Sequence, residues 1–197
     1  MALGVTLYYQ GKLEPALAHY RRGFEMFDPG MQFPDWPGSH PGVQCQFYPG
    51  LISWMLGYPD RHLGELRAAV RGAETLGHPL TLAWVLQWAA YIHIFRRDPS
   101  AAADHAGRGL RICEEHRIAQ LHAYALCPDG WALAASGESE KGLAQIGQGL
   151  DSCGPDNTTY SAGVAGRRAI GEQQTRSRAC VGCRRAEGGR KDGGSAA

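Results

Sequence analysis

The sequence predicts an all-α protein built from about four helical hairpins, and a repeat along most of the chain carries that prediction. Four short polar stretches align on an anchor residue, and successive anchors are 46, 40 and 40 residues apart: Gly11, Gly57, Arg97 and Gly137. A small residue, Gly or Ala, stands seven positions before every anchor and again twelve positions after it. Eight small residues in eight expected places exceed what a chain rich in Ala and Gly gives by accident.

Each repeat is interpreted as a helix, a tight turn at the anchor and a second helix packed on the first. Small residues are needed where two helix axes cross closely, because a larger side chain would hold the axes apart. Pro15, Pro59 and Pro99 fall in or near the first turn of a second helix, where a missing N–H costs little. With apolar residues at helical spacing, eight helices are predicted at residues 2–10, 13–27, 43–56, 59–76, 79–96, 99–116, 118–136 and 139–152.

Prolines mark the irregular parts of the repeat. Residues 28–42 are proline-rich and are predicted as the one long loop, which explains why the first spacing is 46 and not 40. Pro49 and Pro128 fall inside predicted helices, and each is expected to kink or delay its helix, because proline removes a backbone donor and crowds the preceding turn.

The chain divides into a helical repeat domain, residues 1–153, and a Gly- and Arg-rich tail, residues 154–197. The tail contains no Leu, Trp or Phe, so it cannot bury enough apolar surface to offset its ordering entropy, and disorder is expected. Two interpretations of the tail stay open. The tail is either a basic nucleic-acid-binding segment or the product of a shifted reading frame in a GC-rich gene. Aromatic residues, which would support nucleic-acid binding, are nearly absent from it.

Composition and charge exclude several classes of function. The 197 residues are 44% hydrophobic and carry a net charge of +1, so no global field steers the chain towards nucleic acid, and no such partner is expected. The most apolar run, residues 80–95, is too short to span a membrane, and the N-terminus has no recognisable secretory signal. Six cysteines are too few for a disulfide scaffold, so reduced thiols and a cytoplasmic location are expected.

The repeat spacings are those of tetratricopeptide-type hairpins, slightly lengthened, and such hairpins stack into a right-handed superhelical array. The amino-acid sequence of the repeats also resembles that of a known family. The more specific matches are WMLGYPD at 54–60 and LGHP at 76–79, and weaker matches lie at 27–29, 41–43, 82–83 and 130–133. Over about residues 1–151, the chain resembles the C-terminal tetratricopeptide-like region of bacterial predicted ATPases, many of which carry an N-terminal adenylate or guanylate cyclase domain. His62 and His40 depart from the family pattern, which has Ala and Asp at these positions.

The resemblance implies a non-catalytic module, because the nucleotide chemistry of that family belongs to domains N-terminal to the repeats. We therefore expect a protein-interaction or regulatory segment, a fragment of a larger cyclase-linked or signalling ATPase whose catalytic domains are absent from this chain. An incomplete array is also expected to expose apolar ends and to self-associate through them, because terminal repeats normally need polar caps.

The hairpin geometry places aromatic and polar side chains on the concave side of the inner helices. Stacked hairpins commonly grip a peptide or another domain there, and Trp and Tyr dominate such contacts. The candidate partner-binding residues are Trp54, Trp84, Gln87, Tyr91, Tyr124 and Trp131. One alternative is that these side chains form the interhelix core. Another is a small-ligand pocket around Trp84, Tyr91 and Trp131, in a ligand-sensing accessory segment of a signalling enzyme.

No catalytic residue, metal site or cofactor is expected. The chain lacks the G-x-x-x-x-G-K-[ST] loop that cradles phosphates and the H-E-x-x-H pattern of zinc enzymes. Cys180 and Cys183 have the spacing of half a zinc site, but no second pair of ligands follows.

The remaining candidates for a catalytic or metal-binding role are isolated histidines and cysteines. His62, His93 and His105 are scattered over different predicted helices, and we expect them to be surface or interhelix residues. Cys113 lies beside Glu114, whose negative charge is expected to raise the pKa of the thiol and make it a poor nucleophile.

Overall fold

Eight α-helices follow one another in the part of the chain that the structure, a computed structural model, describes, namely residues 2–28 and 38–153. These two ranges contain no strand. The helices are α1 (Ala2–Tyr9), α2 (Leu13–Glu25), α3 (Pro41–Met55), α4 (Pro59–Leu76), α5 (Pro79–Phe95), α6 (Pro99–His116), α7 (Ala119–Ala135) and α8 (Ser139–Cys153). The predicted all-α class is confirmed, and the helix bounds agree with the predicted ones to within two residues. Most of the predicted loop, and the tail with Cys180 and Cys183, lie outside the described residues.

Helix α3 begins two residues earlier than predicted, because a histidine caps it. Nδ1 of His40 accepts a hydrogen bond from the backbone N–H of Gly42 at 3.2 Å, and Pro41 occupies the first turn. The backbone N–H of His40 donates to Oγ1 of Thr81 at 2.9 Å, which ties this cap to α5. Burial, and then the nearby His78, lower the pKa of His40 and so favour the neutral ring that can accept a hydrogen bond. His40 therefore serves as the N-cap of α3, a role for which Asp is among the preferred residues.

The helices fall into two classes by the distribution of their apolar residues. Helices α1, α3, α5 and α7 are apolar around most of their circumference, whereas α2, α4, α6 and α8 each have one apolar and one polar face. A helix that is apolar on all sides must be covered from several directions. Accordingly, each helix packs on the next one along the chain, and α5 also contacts both α3 and α7. The odd-numbered helices α3, α5 and α7 therefore form an inner row.

Left-handed residues form the turns between helices. All four anchors have a positive φ, of 73° at Gly11, 89° at Gly57, 57° at Arg97 and 107° at Gly137. Gly77 and Arg117, between hairpins, have φ values of 66° and 55°, so a left-handed residue recurs every 20 residues from position 57 to position 137. The residue after the anchor then closes the turn; for example, the N–H of Asp98 donates to the carbonyl of His93 at 3.0 Å. These bonds satisfy carbonyl groups that a helix end leaves unpaired.

The small residues of the repeat lie where helices cross. Seven of the eight are buried, and the eighth, Gly23, is partly buried. Helices α7 and α8 cross with their backbones in close contact. A Cβ atom at Gly130 would lie 2.6 Å from the carbonyl oxygen of Gly142. At Gly109 the nearest such atom would be Cβ of Leu86 at 3.7 Å, an ordinary van der Waals contact. Every crossing takes a small residue, but only some of them require glycine.

Helices α3 and α7 continue through Pro49 and Pro128, and both prolines are buried. Of the two expected effects, a kink or a delayed helix start, the delay is therefore wrong, and the kink stays a prediction. Burial of the proline ring in the inner row compensates part of the lost backbone hydrogen bond. At Pro128 a neighbouring side chain replaces that bond as well.

Candidate functional site

The six candidate partner-binding residues all lie on the inner row of helices: Trp54 on α3; Trp84, Gln87 and Tyr91 on α5; Tyr124 and Trp131 on α7. Tyr91 and Trp131 belong to one cluster of core residues, and Trp84 packs with Tyr124 in another. Four of the six are buried, and only Trp54 and Trp84 are partly exposed. This packing favours the core interpretation for most of them.

The hydroxyl group of Tyr91 replaces a backbone hydrogen bond that Pro128 removes from α7. A proline at position 128 has no N–H to donate to the carbonyl of Tyr124, four residues earlier. The hydroxyl of Tyr91, on α5, donates to that carbonyl oxygen at 3.3 Å, and the whole contact is buried. Since a buried carbonyl without a partner is costly, this tyrosine has a structural task between α5 and α7.

Replacing Tyr91 with phenylalanine should lower the free energy of unfolding by about 1–3 kcal/mol, because the Tyr124 carbonyl loses its donor. In a Pro128→Ala background the same change should cost much less, because residue 128 regains an N–H for that carbonyl. Urea unfolding of the two single variants and the double variant gives the coupling energy. Equal costs of Tyr91→Phe in the two backgrounds would show that the tyrosine hydroxyl does not serve the proline site.

Aromatic rings join the first hairpins into one cluster around Tyr48. The ring of Tyr20 stacks on Tyr48 at 4.6 Å, and Tyr8 meets it edge-on at 5.4 Å. Trp84 lies 6.1 Å from Tyr48 and 6.4 Å from Trp88, which is also partly buried. The cluster therefore links α1, α2, α3 and α5, and its main contribution is to packing.

A row of exposed apolar side chains occupies a single position of the repeat, two residues before the anchor. Tyr9 is 67% exposed, Met55 52% and Phe95 55%, whereas the fourth repeat has Ala135 there. Tyr58, one residue after an anchor, is also exposed. The sequence analysis missed this row, although the repeat register itself was the signal that could have found it.

Trp54 lies beside this row and is held by two contacts. The guanidinium group of Arg96 lies over its indole at 5.7 Å, and the ring of His62 meets it at 5.6 Å. The contact with Arg96, which follows the end of α5, brings the ends of α3 and α5 together. We call Tyr9, Trp54, Met55, Tyr58 and Phe95 the turn-edge surface.

Three histidines that seemed scattered in the sequence occupy buried or partly buried positions. His62 is fully buried, and neither ring nitrogen has a hydrogen-bond partner of good geometry. Burial lowers the pKa of His62, and a backbone contact to Gly50 partly opposes this. His93 and His105 stack with their ring centroids 5.3 Å apart. Burial lowers the pKa of both, and the charge of His105 lowers that of His93 further.

The thiols are packed rather than reactive. Cys45 and Cys113 are free and buried, and Cys127 is buried as well. Burial, and secondarily the charge of Glu114, raise the pKa of Cys113 to about 11, so the expected direction is confirmed with burial as the larger cause. The described residues contain no group of three or more side chains arranged to hold a metal ion. Nor does any helix in the described ranges have the length and apolarity that a membrane crossing requires.

Neither a protein-family model nor a curated protein matches this chain.

Proposed function

We propose that the chain is a non-catalytic protein-interaction module made of tetratricopeptide-like hairpins in a right-handed superhelical array. Left-handed turns at intervals of 20 residues and small residues at the helix crossings support this arrangement. So does the inner row of helices, because stacked hairpins bring their first helices together on one side. We further propose that the module is a regulatory segment of a larger signalling or cyclase-linked ATPase, on the basis of the resemblance at residues 54–60 and 76–79.

The turn-edge surface is the observation that carries the proposed function. Water-exposed Tyr, Met and Phe side chains give up the stabilisation that burial would provide, about 1.5–3 kcal/mol for a large apolar side chain. Their recurrence at one repeat position places them along one edge of the array. Tyr8, next to Tyr9, contacts Tyr48 on α3, and α3 contacts α5, so the three helices that bear the row are neighbours.

A protein fits this surface better than a small molecule does. Aromatic residues, Met and Arg are enriched in protein interfaces, and Arg61 and Arg96 lie over the rings of Tyr58 and Trp54. A small ligand needs an enclosed pocket that removes most of its surface from water, whereas Tyr9, Met55 and Phe95 are more than half exposed. A partner segment with a complementary apolar face would bury the row. The free thiols Cys45 and Cys113 support a reducing compartment, and we propose a cytoplasmic location.

Site-specific photocrosslinking tests this function. A photoreactive amino acid at position 55 or 95 should crosslink one and the same protein in cells, and position 143 serves as a control because Leu143 is an exposed apolar residue of α8. The identified partner is then purified and its affinity measured by calorimetry. Phe95→Ser should weaken binding at least about tenfold, as for an aromatic residue at the centre of an interface.

Two results would contradict the proposal. One is crosslinking from position 143 as strong as from positions 55 and 95. The other is an unchanged affinity of the purified partner for Phe95→Ser while circular dichroism shows an intact helical fold.

The ligand-sensing alternative finds no support at its expected place. Tyr91 and Trp131 are buried, and Trp84 packs in the aromatic cluster. Cavities of about 410 Å³ and 550 Å³ are lined by other residues. The smaller cavity is lined by several arginine and histidine side chains.

A further inference from the structure

A cleft of about 410 Å³ lies between α4 and α6, with the end of α5 at its base. Leu63, Leu66 and Val70 from α4 and Ala101 from α6 provide an apolar wall. The polar groups that line it are mostly cationic or imidazole side chains: Arg67, Arg71, Arg108, His93 and His105, with Asp98 as the one carboxylate. We call it the α4–α6 cleft.

Two of the cleft arginines form no ion pair with a described residue. Arg67 and Arg71 stand one turn apart on α4, where like charges repel. Within the described part of the chain, no carboxylate lies within 4.0 Å of either guanidinium group. Arg108 enters from α6 and pairs with Glu74. An anion in the cleft would supply the missing counter-charge.

Two imidazole rings, those of His93 and His105, line the same cleft. His93 is only 8% exposed, and its Nδ1 has no hydrogen-bond partner; the carboxylate of Asp98 lies 3.6 Å away, beyond hydrogen-bond distance. Nδ1 of His105, in the ring stacked on His93, is buried without a partner as well. Both rings belong to the lining of the cleft, where an imidazole N–H that reaches the cavity can donate to an oxygen of a ligand.

Asp98 does not cancel the cationic character of the cleft. One of its oxygens accepts a hydrogen bond from the backbone N–H of Ala101 at 3.1 Å, so the side chain serves as the N-cap of α6. Among the side chains that line the cleft, three guanidinium groups stand against this single carboxylate. The lining is therefore positive with both histidines neutral, whereas Glu74 and Asp104 lie outside it.

We propose that the α4–α6 cleft binds the phosphate group of a small organic phosphomonoester. Arg67 and Arg71 would hold the phosphate oxygens, since guanidinium groups match phosphate geometry with paired N–H donors. His93 would add an imidazole hydrogen bond, and Leu63, Leu66 and Val70 would cover the organic part. The volume falls in the range of ligand pockets, about 300–1,000 Å³, and exceeds what an inorganic ion needs. The site shares no residue with the turn-edge surface and stands independently of the proposed protein partner.

Calorimetry with the full chain and phenyl phosphate tests the site, with inorganic phosphate and phenol as comparison ligands. Phenyl phosphate should bind with one-to-one stoichiometry, tighter than inorganic phosphate, and phenol should not bind. The double variant Arg67→Ala/Arg71→Ala should weaken binding at least about tenfold. Arg111→Ala, which removes an exposed charge of α6 outside the cleft lining, should change the affinity less than about twofold. In proton NMR, phenyl phosphate should shift the imidazole signals of His93 and leave those of the exposed His19 in place.

Each other outcome overturns a defined part of the inference. Absence of saturable binding, or an equal loss of affinity in Arg111→Ala, would refute the site. Equal affinities for phenyl phosphate and inorganic phosphate would refute an organic ligand. Because Arg67 and Arg71 are exposed, the double variant is expected to keep the melting temperature of the parent chain. Phe95→Ser is expected to bind phenyl phosphate normally, so failure of the protein-partner proposal is distinguishable from failure of this one.

Discussion

Replacing Gly130 with alanine should lower the free energy of unfolding by about 3 kcal/mol, the upper end of the cost of overpacking. The new Cβ atom would lie 2.6 Å from the carbonyl oxygen of Gly142, 2.9 Å from Cγ1 of Ile146 and 3.1 Å from the backbone nitrogen of Ile146. Two of these three atoms are backbone, so no rotamer change can make room and α8 must move away from α7. Thermal unfolding should show a melting temperature about 6–12 °C lower for a domain of this size.

Two alanine substitutions provide matched controls for Gly130. Gly64 is an exposed helical glycine with no atom within 4 Å of an added Cβ, and Gly64→Ala should stabilise the protein by up to about 1 kcal/mol. Gly109 is buried at a small-residue position of the repeat, but its closest neighbour would be at 3.7 Å, so Gly109→Ala should be close to neutral or stabilising. A cost for Gly109→Ala equal to that for Gly130→Ala would show that burial, and not the α7–α8 crossing, decides the outcome.

Acid should destabilise the protein below pH 6.5, because four histidines are held neutral in the folded state. Burial lowers the pKa of His40, His62, His93 and His105, whereas in the unfolded chain each returns to about 6.5. Between these two pKa values the unfolded chain binds more protons than the folded one, so lowering the pH favours unfolding. Each neutral histidine contributes about 1.4 kcal/mol per pH unit until the pH reaches its folded-state pKa. Together the four give a slope of at most about 5 kcal/mol per pH unit.

Urea unfolding between pH 8 and pH 5 measures this dependence. The free energy of unfolding should be nearly constant above pH 7 and should fall steeply below pH 6.5. His62→Ala should reduce the slope by about one quarter, since one of four histidines is removed. The matched control His19→Gln changes an exposed histidine of α2 and should leave the slope unchanged. The prediction fails if the wild-type stability is flat from pH 8 to pH 5, or if His62→Ala keeps the full slope.

Much of the fold was predictable because its determinants are local. Gly or Arg anchors, prolines in first turns and apolar spacing depend on neighbours a few residues away, and the eight helix bounds followed from them. The same local logic was incomplete at Pro49 and Pro128, where it allowed for a delayed helix start. A proline inside a helix is tolerated only when other parts of the fold compensate it, and the compensating group at Pro128 is the hydroxyl of Tyr91, which is distant in sequence.

The candidate site was less predictable. Sequence reasoning left open whether Tyr91, Tyr124 and Trp131 line a concave surface or form the interhelix core. These side chains are buried because α5 and α7 pack against each other. The exposed row of Tyr9, Met55 and Phe95 was overlooked, because the repeats were compared at the positions of small residues and not at those of large apolar residues.

By itself, the sequence determined that this chain forms helical hairpins, where each turn falls and where small residues must stand, because these properties depend on backbone conformation and short-range periodicity. Only the tertiary structure decided which small residues must be glycine, which aromatic residues face water and that His93 and His105 share a cleft with Arg67 and Arg71. The physical reason is that close contact and exposure depend on the distance between helix axes. That distance is set by the packing of all eight helices together, and no single segment encodes it.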